Sequence, residues 1–356
     1  MYPHLPDRLT GYRQTATALY YLFRYRQIDI RRIPNLAANL LACRRHRQPP
    51  GLPPVLQLDI NNTCNLRCPG CLTGLGLYEK QRHLMSWPRF TALIDSARDS
   101  TLMAALYNSG EPFLHPDIFD MIQYLTDRKI ASMISTNGHF LADPASAERL
   151  VASGLSTLII SLSGTTPASY EKYHRGGDFS TVMESARQII QARKKTGQRT
   201  PAVILRFLLL DHNRSEIEAM KRLTRQLACD AWEFRTVNWR PRLVAPRISP
   251  PDETGKKGTA LKETGRVCRW PWLFAVINWH GDVFPCCFYN LGMPVMGNAF
   301  DKGGLREVWY NDAYDSFRKT MLRGKGHLPV CDQCPAETGF QGSFSRQHRT
   351  VYVKTG

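Results

Sequence analysis

From residue 51 onward, short apolar runs alternate with longer stretches in which apolar residues recur at helical spacing. The runs are VLQLDI at 55–60, LMAALY at 102–107, ASMIS at 131–135, LSTLIIS at 155–161, AVILRFLLL at 202–210 and AWEFR at 231–235. Between them, 87–99, 116–128, 144–153, 180–196 and 215–228 read as amphipathic helices. Strand, helix and strand repeated this often predict an α/β fold with a parallel sheet covered by helices. Six strands are too few for a closed eight-fold barrel. The segment RQPPGLPP marks where this pattern begins, and residues 1–50 before it read as helical. In parallel α/β folds, chemistry gathers beyond the carboxyl ends of the strands. Each polar motif can therefore be tested by asking whether it follows a strand.

The segment NNTCNLRCPGCLTG at 61–74 does, and it packs Cys64, Cys68 and Cys71 into one loop after the first run. Structural zinc takes four closed ligands, so three thiolates leave a position open, on a zinc ion or on one iron of a cuboidal cluster. YNSGEPFLHP follows the second run, where Gly110 and Glu111 are either a turn or an acceptor for a bound ammonium. STNG follows the third with Thr136 and Asn137, and SLSG follows the fourth with Ser161 and Ser163. Turn chemistry would account for either. Arg206 lies inside the apolar fifth run and requires a partner, a structural carboxylate or that of a ligand.

With Cys64-Asn-Leu-Arg-Cys68-Pro-Gly-Cys71 standing as CxxxCxxC, residues 52–236 resemble the radical S-adenosylmethionine (SAM) superfamily. The resemblance implies a partial (βα)6 parallel barrel. It also implies a [4Fe-4S] cluster on Cys64, Cys68 and Cys71, with SAM chelating the iron that no cysteine holds. Reductive cleavage of SAM would then yield a 5′-deoxyadenosyl radical that takes a hydrogen from an unactivated carbon. Gly110-Glu111-Pro112 is similar to the family element that holds the SAM ammonium. By the same resemblance Ser161 and Ser163 stand where relatives contact the ribose or methionine carboxylate of SAM, and Thr136 and Asn137 are further cofactor contacts. The SAM carboxylate becomes a candidate partner for Arg206 beside a structural one, and a flavodoxin or ferredoxin is the reductant. Gly70 stands where family members commonly carry an aromatic residue near the adenine. Since the cofactor carries the difficult chemistry, no Ser/His/Asp constellation is required.

Residues 239–267 are rich in Pro, Gly and charge and read as a linker or a loop over the site. Cysteines then return at Cys268, Cys286, Cys287, Cys331 and Cys334. Twelve residues separate Cys268 from Gly281 and four separate Gly281 from Cys286, a spacing that resembles the SPASM extension of radical SAM enzymes. No cysteine follows Cys334, so the shortened twitch form with one auxiliary [4Fe-4S] cluster is the better match. Cys268, Cys286, Cys331 and Cys334 are the implied ligands. Alternation along a hairpin at 274–287 would turn Cys287 to the opposite face from Cys286. Four thiolates leave no open iron, which favours electron transfer over substrate binding. A structural zinc on the same four is the alternative. Three units are expected: a helical extension at 1–50, the core at 51–238, and at 239–356 a linker with a small cysteine-rich α+β extension.

Composition narrows the setting. A chain of 356 residues needs neither disulfides nor metal merely to complete a core. Ten cysteines without a signal-peptide pattern or a membrane-length apolar run point to the cytoplasm, where thiols are ligands or free. The net charge of +17 suits anionic partners, an acidic redox protein among them. Residues 1–50 carry nine Arg against two Asp. Their stripe of Leu9, Tyr12, Ala16, Leu19, Tyr20 and Phe23 would lie peripherally on an anionic membrane or pack on the core. A zinc-bearing nucleic-acid-binding protein would explain the charge and clustered cysteines, but not polar motifs at successive strand ends. No nucleic acid is expected. Residues 1–50 lack the alternating strands of a peptide-recognition module, which favours a small molecule, glycoside or membrane-associated substrate. The expected reaction is a two-electron oxidation or oxidative bond formation. A peptide maturase or epimerase is the alternative, the latter needing a hydrogen donor such as Cys287, Cys229 or Cys43.

Overall fold

The computed structural model describes residues 29–77, 81–236 and 267–328, with Val330, Cys331 and Cys334. The aromatic stripe at 9–23 and almost all of the linker at 239–267 lie outside the described residues. Six parallel strands stand in sequence order: β1 (Val55–Leu58), β2 (Met103–Ala105), β3 (Ala131–Thr136), β4 (Thr157–Ser161), β5 (Ala202–Leu209) and β6 (Ala231–Thr236). The helices, in chain order, are α1 (Ile33–Arg44), α2 (Trp87–Ala97), α3 (Ile118–Asp127), α4 (Pro144–Ala152), α5 (Pro167–Tyr173), α6 (Phe179–Thr196) and α7 (Ile217–Gln226). Each run read from the sequence became a strand, trimmed where its end bends into a loop. Helix α5 is additional. Thr166 caps it through the Ser169 amide, with Pro167 at the first turn, a start signal that apolar periodicity does not carry.

Side-chain alternation divides the sheet into two faces. Leu158, Ile160, Val203 and Leu205 point into the main core with the helices. Ile159, Ile204 and Ala231 point the other way and, with Met133, form a small separate apolar cluster inside the half-barrel. Toward the carboxyl ends that inner face turns polar, with Ser161, Arg206 and Glu233 side by side in register.

Beyond the linker come α8 (Trp270–Leu273), α9 (Gly304–Tyr310) and α10 (Asp312–Arg323), with β7 (Phe274–Ile277), β8 (Asp282–Phe284) and β9 (Gly297–Asn298). β7 pairs parallel with β1, and β8 and β9 continue antiparallel, so one nine-stranded sheet runs β6-β5-β4-β3-β2-β1-β7-β8-β9. The β7–β8 turn requires Gly281, whose φ is +96° and where a Cβ would collide with the Phe300 ring.

Helix α1 is bound to this body. The buried Arg32 donates to the carbonyls of Thr101 (3.0 Å), Lys129 (2.8 Å) and Arg128 (2.6 Å), the last two just past the carboxyl end of α3. Trp272 Nε1 donates to Arg47 O at 2.7 Å and Trp309 Nε1 to Gly51 O at 3.0 Å. From α1, Asn35 Nδ2 and Asn39 Nδ2 donate to Leu52 O at 2.9 and 3.2 Å, so the segment before β1 is held by helices from both ends of the chain. Among the described residues no helix is long and apolar enough to cross a membrane.

Candidate functional site

The cysteine loop leaves β1 and lies against the loops after β2 and β3 and the turn just past α5. Its thiols meet donors from the loop and its surroundings. Leu66 N donates to Cys64 Sγ at 3.4 Å, Gly74 N to Cys71 Sγ at 3.5 Å and Asn137 Nδ2 to Cys64 Sγ at 3.7 Å. His174 Nδ1 lies 3.7 Å from Cys68 Sγ. Burial pushes the Cys64 thiol up to about 11 and the Cys68 thiol higher still. A bound cation inverts that preference, because metal-coordinated thiols are deprotonated. Backbone amides aimed at the sulfurs suit thiolate ligands of an iron-sulfur cluster.

Glu111 is 2% exposed and organises the neighbouring loops. Its carboxylate accepts from Thr136 Oγ1 (2.7 Å), Asn137 N (2.8 Å) and Phe113 N (3.2 Å). Its backbone N donates to Thr63 O at 2.7 Å, and its carbonyl accepts from Asn61 Nδ2 at 2.9 Å. Burial lifts this carboxyl to about 7 against those hydrogen bonds. Gly110 has φ +74°, and a Cβ there would collide with the Asn61 side chain, so the two loops close on one another only through glycine. Asn137 also donates to Asn65 Oδ1 at 2.7 Å and accepts from His139 Nδ1 at 2.9 Å.

The structure brings Gly110, Glu111, Thr136 and Asn137 together around the cysteine loop. Ser161 stands half-buried beside Arg206 on the inner face. Arg206 Nε donates to Glu233 Oε2 at 3.0 Å and its Nη1 to Ser135 Oγ at 3.3 Å. Arg235 also pairs with Glu233. Burial acts to raise the Glu233 pKa, but the two guanidiniums outweigh it and hold the carboxyl below its ordinary range. Ser163 is fully buried and its Oγ lies 3.0 Å from His174 Nε2. Burial drives His174 down to about 3, so the ring is neutral. The pattern of strand ends did not single out His174, which follows the unanticipated α5. The Thr166-Pro167 helix start was the available signal.

A second constellation lies in the C-terminal segment. Cys268, Cys286, Cys331 and Cys334 line one cavity together with apolar side chains and Lys325. Burial pushes the Cys268 thiol well up, with Cys286 and Cys334 close enough to add to the effect. Cys287 is not among the lining residues. β8 ends at Phe284, so the bend after it, rather than strand alternation, separates the two thiols. Among the described residues no three His, Cys, Asp or Glu side chains meet at the position of a single ion. In a cluster each cysteine binds its own iron, so convergence on one point is not required.

The two constellations are joined. Asn108, in the loop after β2, donates to Cys287 O at 3.2 Å. Tyr289 Oη donates to Asp59 just past β1, and Ser109 N donates to the other carboxylate oxygen at 2.8 Å.

Comparison with known proteins finds two family models and a set of relatives. The model of the radical SAM superfamily matches residues 58–224, and that of SPASM, an iron-sulfur cluster-binding domain, matches residues 268–335. The chain is 26% identical over 311 residues to the tungsten-containing aldehyde ferredoxin oxidoreductase cofactor-modifying protein of Pyrococcus furiosus, covering 78% of this chain and 86% of that protein. It is 26% identical over 313 residues to the PqqA peptide cyclase of Ruegeria pomeroyi, covering 79% of each. In fold it is similar to Streptococcus suis SuiB bound to precursor peptide SuiA, with a TM-score of 0.59 at 15% identity, covering 80% of this chain and 71% of that one.

Proposed function

Because the chain belongs to the radical SAM superfamily, we propose that it oxidises a peptide substrate by two electrons, through dehydrogenation or oxidative bond formation. Family membership brings a [4Fe-4S] cluster and SAM to the core and a further iron-sulfur cluster to the C-terminal domain. Together they supply reductive cleavage of SAM and removal of a substrate hydrogen atom. In this reading Cys64, Cys68 and Cys71 hold the first cluster. Cys268, Cys286, Cys331 and Cys334 hold the second, which accepts the substrate's remaining electron. The observation that carries the oxidative reading is the four-cysteine cavity, one of whose thiols, Cys286, lies just past a hairpin that shares the core's sheet. A cluster held there would serve as the electron acceptor.

The substrate class shifts from the small molecule favoured by the sequence to a peptide. Relatives aligned along about four fifths of the chain include a peptide cyclase and a cofactor-modifying protein. The inner face offers a polar environment: Arg206, Glu233 and Arg235 share it on β5 and β6, and Gln57 donates to Tyr107 O while Tyr107 Oη donates to Met133 Sδ of the apolar cluster. The reductant in this reading is a flavodoxin or ferredoxin, whose acidic surface complements a chain of charge +17.

The test incubates reconstituted protein, SAM and reductant with peptides encoded beside its gene, in deuterated water. The expected outcome is 5′-deoxyadenosine together with a peptide lacking two hydrogens. Cys68→Ala should yield neither while its C-terminal iron remains. Deuterium gained at carbon with no other mass change would mean epimerisation and refute the oxidation. Turnover of a small molecule with the peptides untouched would refute the peptide.

A further inference from the structure

We infer that His174 is a positioning residue that holds an N–H on the Cys68 thiolate and thereby raises the reduction potential of the three-cysteine cluster. The inference rests on the cluster reading above and deepens it. His174 Nδ1 lies 3.7 Å from Cys68 Sγ, and on the far side of the ring Nε2 lies 3.0 Å from Ser163 Oγ. A ligating thiolate only accepts, so Nδ1 carries the proton and Nε2 accepts from the Ser163 hydroxyl.

The surroundings hold the ring orientation and the position of Ser163. Asn213, wholly buried, donates through Nδ2 to Ser163 O at 3.0 Å and to Leu208 O at 2.8 Å. Its Oδ1 accepts from Leu210 N at 2.8 Å. The imidazole stacks on Tyr170 with ring centres 4.6 Å apart and meets the edge of Tyr173 at 5.2 Å. A chain thus runs from the β5–α7 connection through Ser163 and His174 to one cluster sulfur. Ser163, which the family resemblance assigns to SAM, has its hydroxyl engaged in that chain.

A donor on a ligating sulfur withdraws electron density and favours the more negative, reduced cluster. Removing it should make reduction harder. One hydrogen bond to a charged acceptor corresponds to about tenfold in the reduction equilibrium, about 59 mV for one electron.

The experiment is a redox titration of the reconstituted full chain followed by electron paramagnetic resonance. The signal that changes on adding SAM identifies the cluster with the open iron. His174→Phe should lower its potential by that amount with the iron count unchanged. His174→Asn, which keeps an amide donor near the position of Nδ1, should recover most of the shift. Ser163→Ala should shift the potential the same way by less, since the tautomer is no longer held. An unmoved potential in His174→Phe, or equal shifts in the Phe and Asn variants, would overturn the inference. If His174→Phe does not fold, an unmoved potential in Ser163→Ala overturns it instead. Absence of iron at Cys64, Cys68 and Cys71 in the unsubstituted chain would overturn the cluster reading first, and this inference with it.

Discussion

Asp59 is fully enclosed just past β1, between the Ser109 amide and the Tyr289 hydroxyl, and burial raises its carboxyl to about 7 despite both donors. A carboxyl whose pKa is higher folded than unfolded keeps a proton that the unfolded chain releases. Its contribution is fully present below about pH 4 and is lost as pH rises through about 7. Asp59→Asn keeps an acceptor for Ser109 and can donate to Tyr289, while removing the buried charge. Urea unfolding of the apo chain should show Asp59→Asn gaining about 2–4 kcal/mol relative to the parent between pH 5 and pH 8. An identical pH slope in both proteins would sink that account. Residue types at strand ends were legible in the sequence, but their partners were not. The Glu111 carboxylate turned out to bind Thr136 and the Asn137 amide, and Arg206 to bind Glu233. Each pairing joins loops or strands whose approach depends on how the chain closes.

Helix α1 shows the same division at the scale of an element. The basic character of residues 1–50 reads as a solvated or membrane-facing surface, yet Arg32 points inward and satisfies three carbonyls, two of them just past α3. A guanidinium there complements the helix dipole and leaves no buried acceptor unpaired. Arg32→Ala should cost about 3 kcal/mol in urea unfolding, and Arg32→Lys should recover only part, since an ammonium lacks the planar fork. A loss below about 0.5 kcal/mol would mean that water replaces the arginine. The repeating strands and helices of the core were legible because each carries its periodicity locally. Helix α5 was not, being short and marked chiefly by its cap.

For the whole molecule, the governing fact is that the cysteine-bearing hairpin extends the core's own sheet. Both cysteine sets are therefore held to one body. Reconstituted protein should carry about eight irons, as two four-iron clusters, and replacing Cys331 and Cys334 together with Ala should halve that count. Iron near four with stoichiometric zinc in the intact protein would instead assign the C-terminal cysteines to a structural zinc site.

What the sequence determined by itself was local: the strand and helix rhythm, the three-cysteine loop after β1, and a later set of cysteines at characteristic spacing. These are legible because periodicity, turn residues and ligand spacing act over a few neighbouring positions. The tertiary structure decided which distant groups meet. His174 reaches Cys68 across 106 positions, and Tyr289 reaches Asp59 across 230. Such contacts follow from strand register, from β7 choosing the free edge of β1, and from glycine-dependent loop approach. None of these is a property of the residues' own stretch of chain.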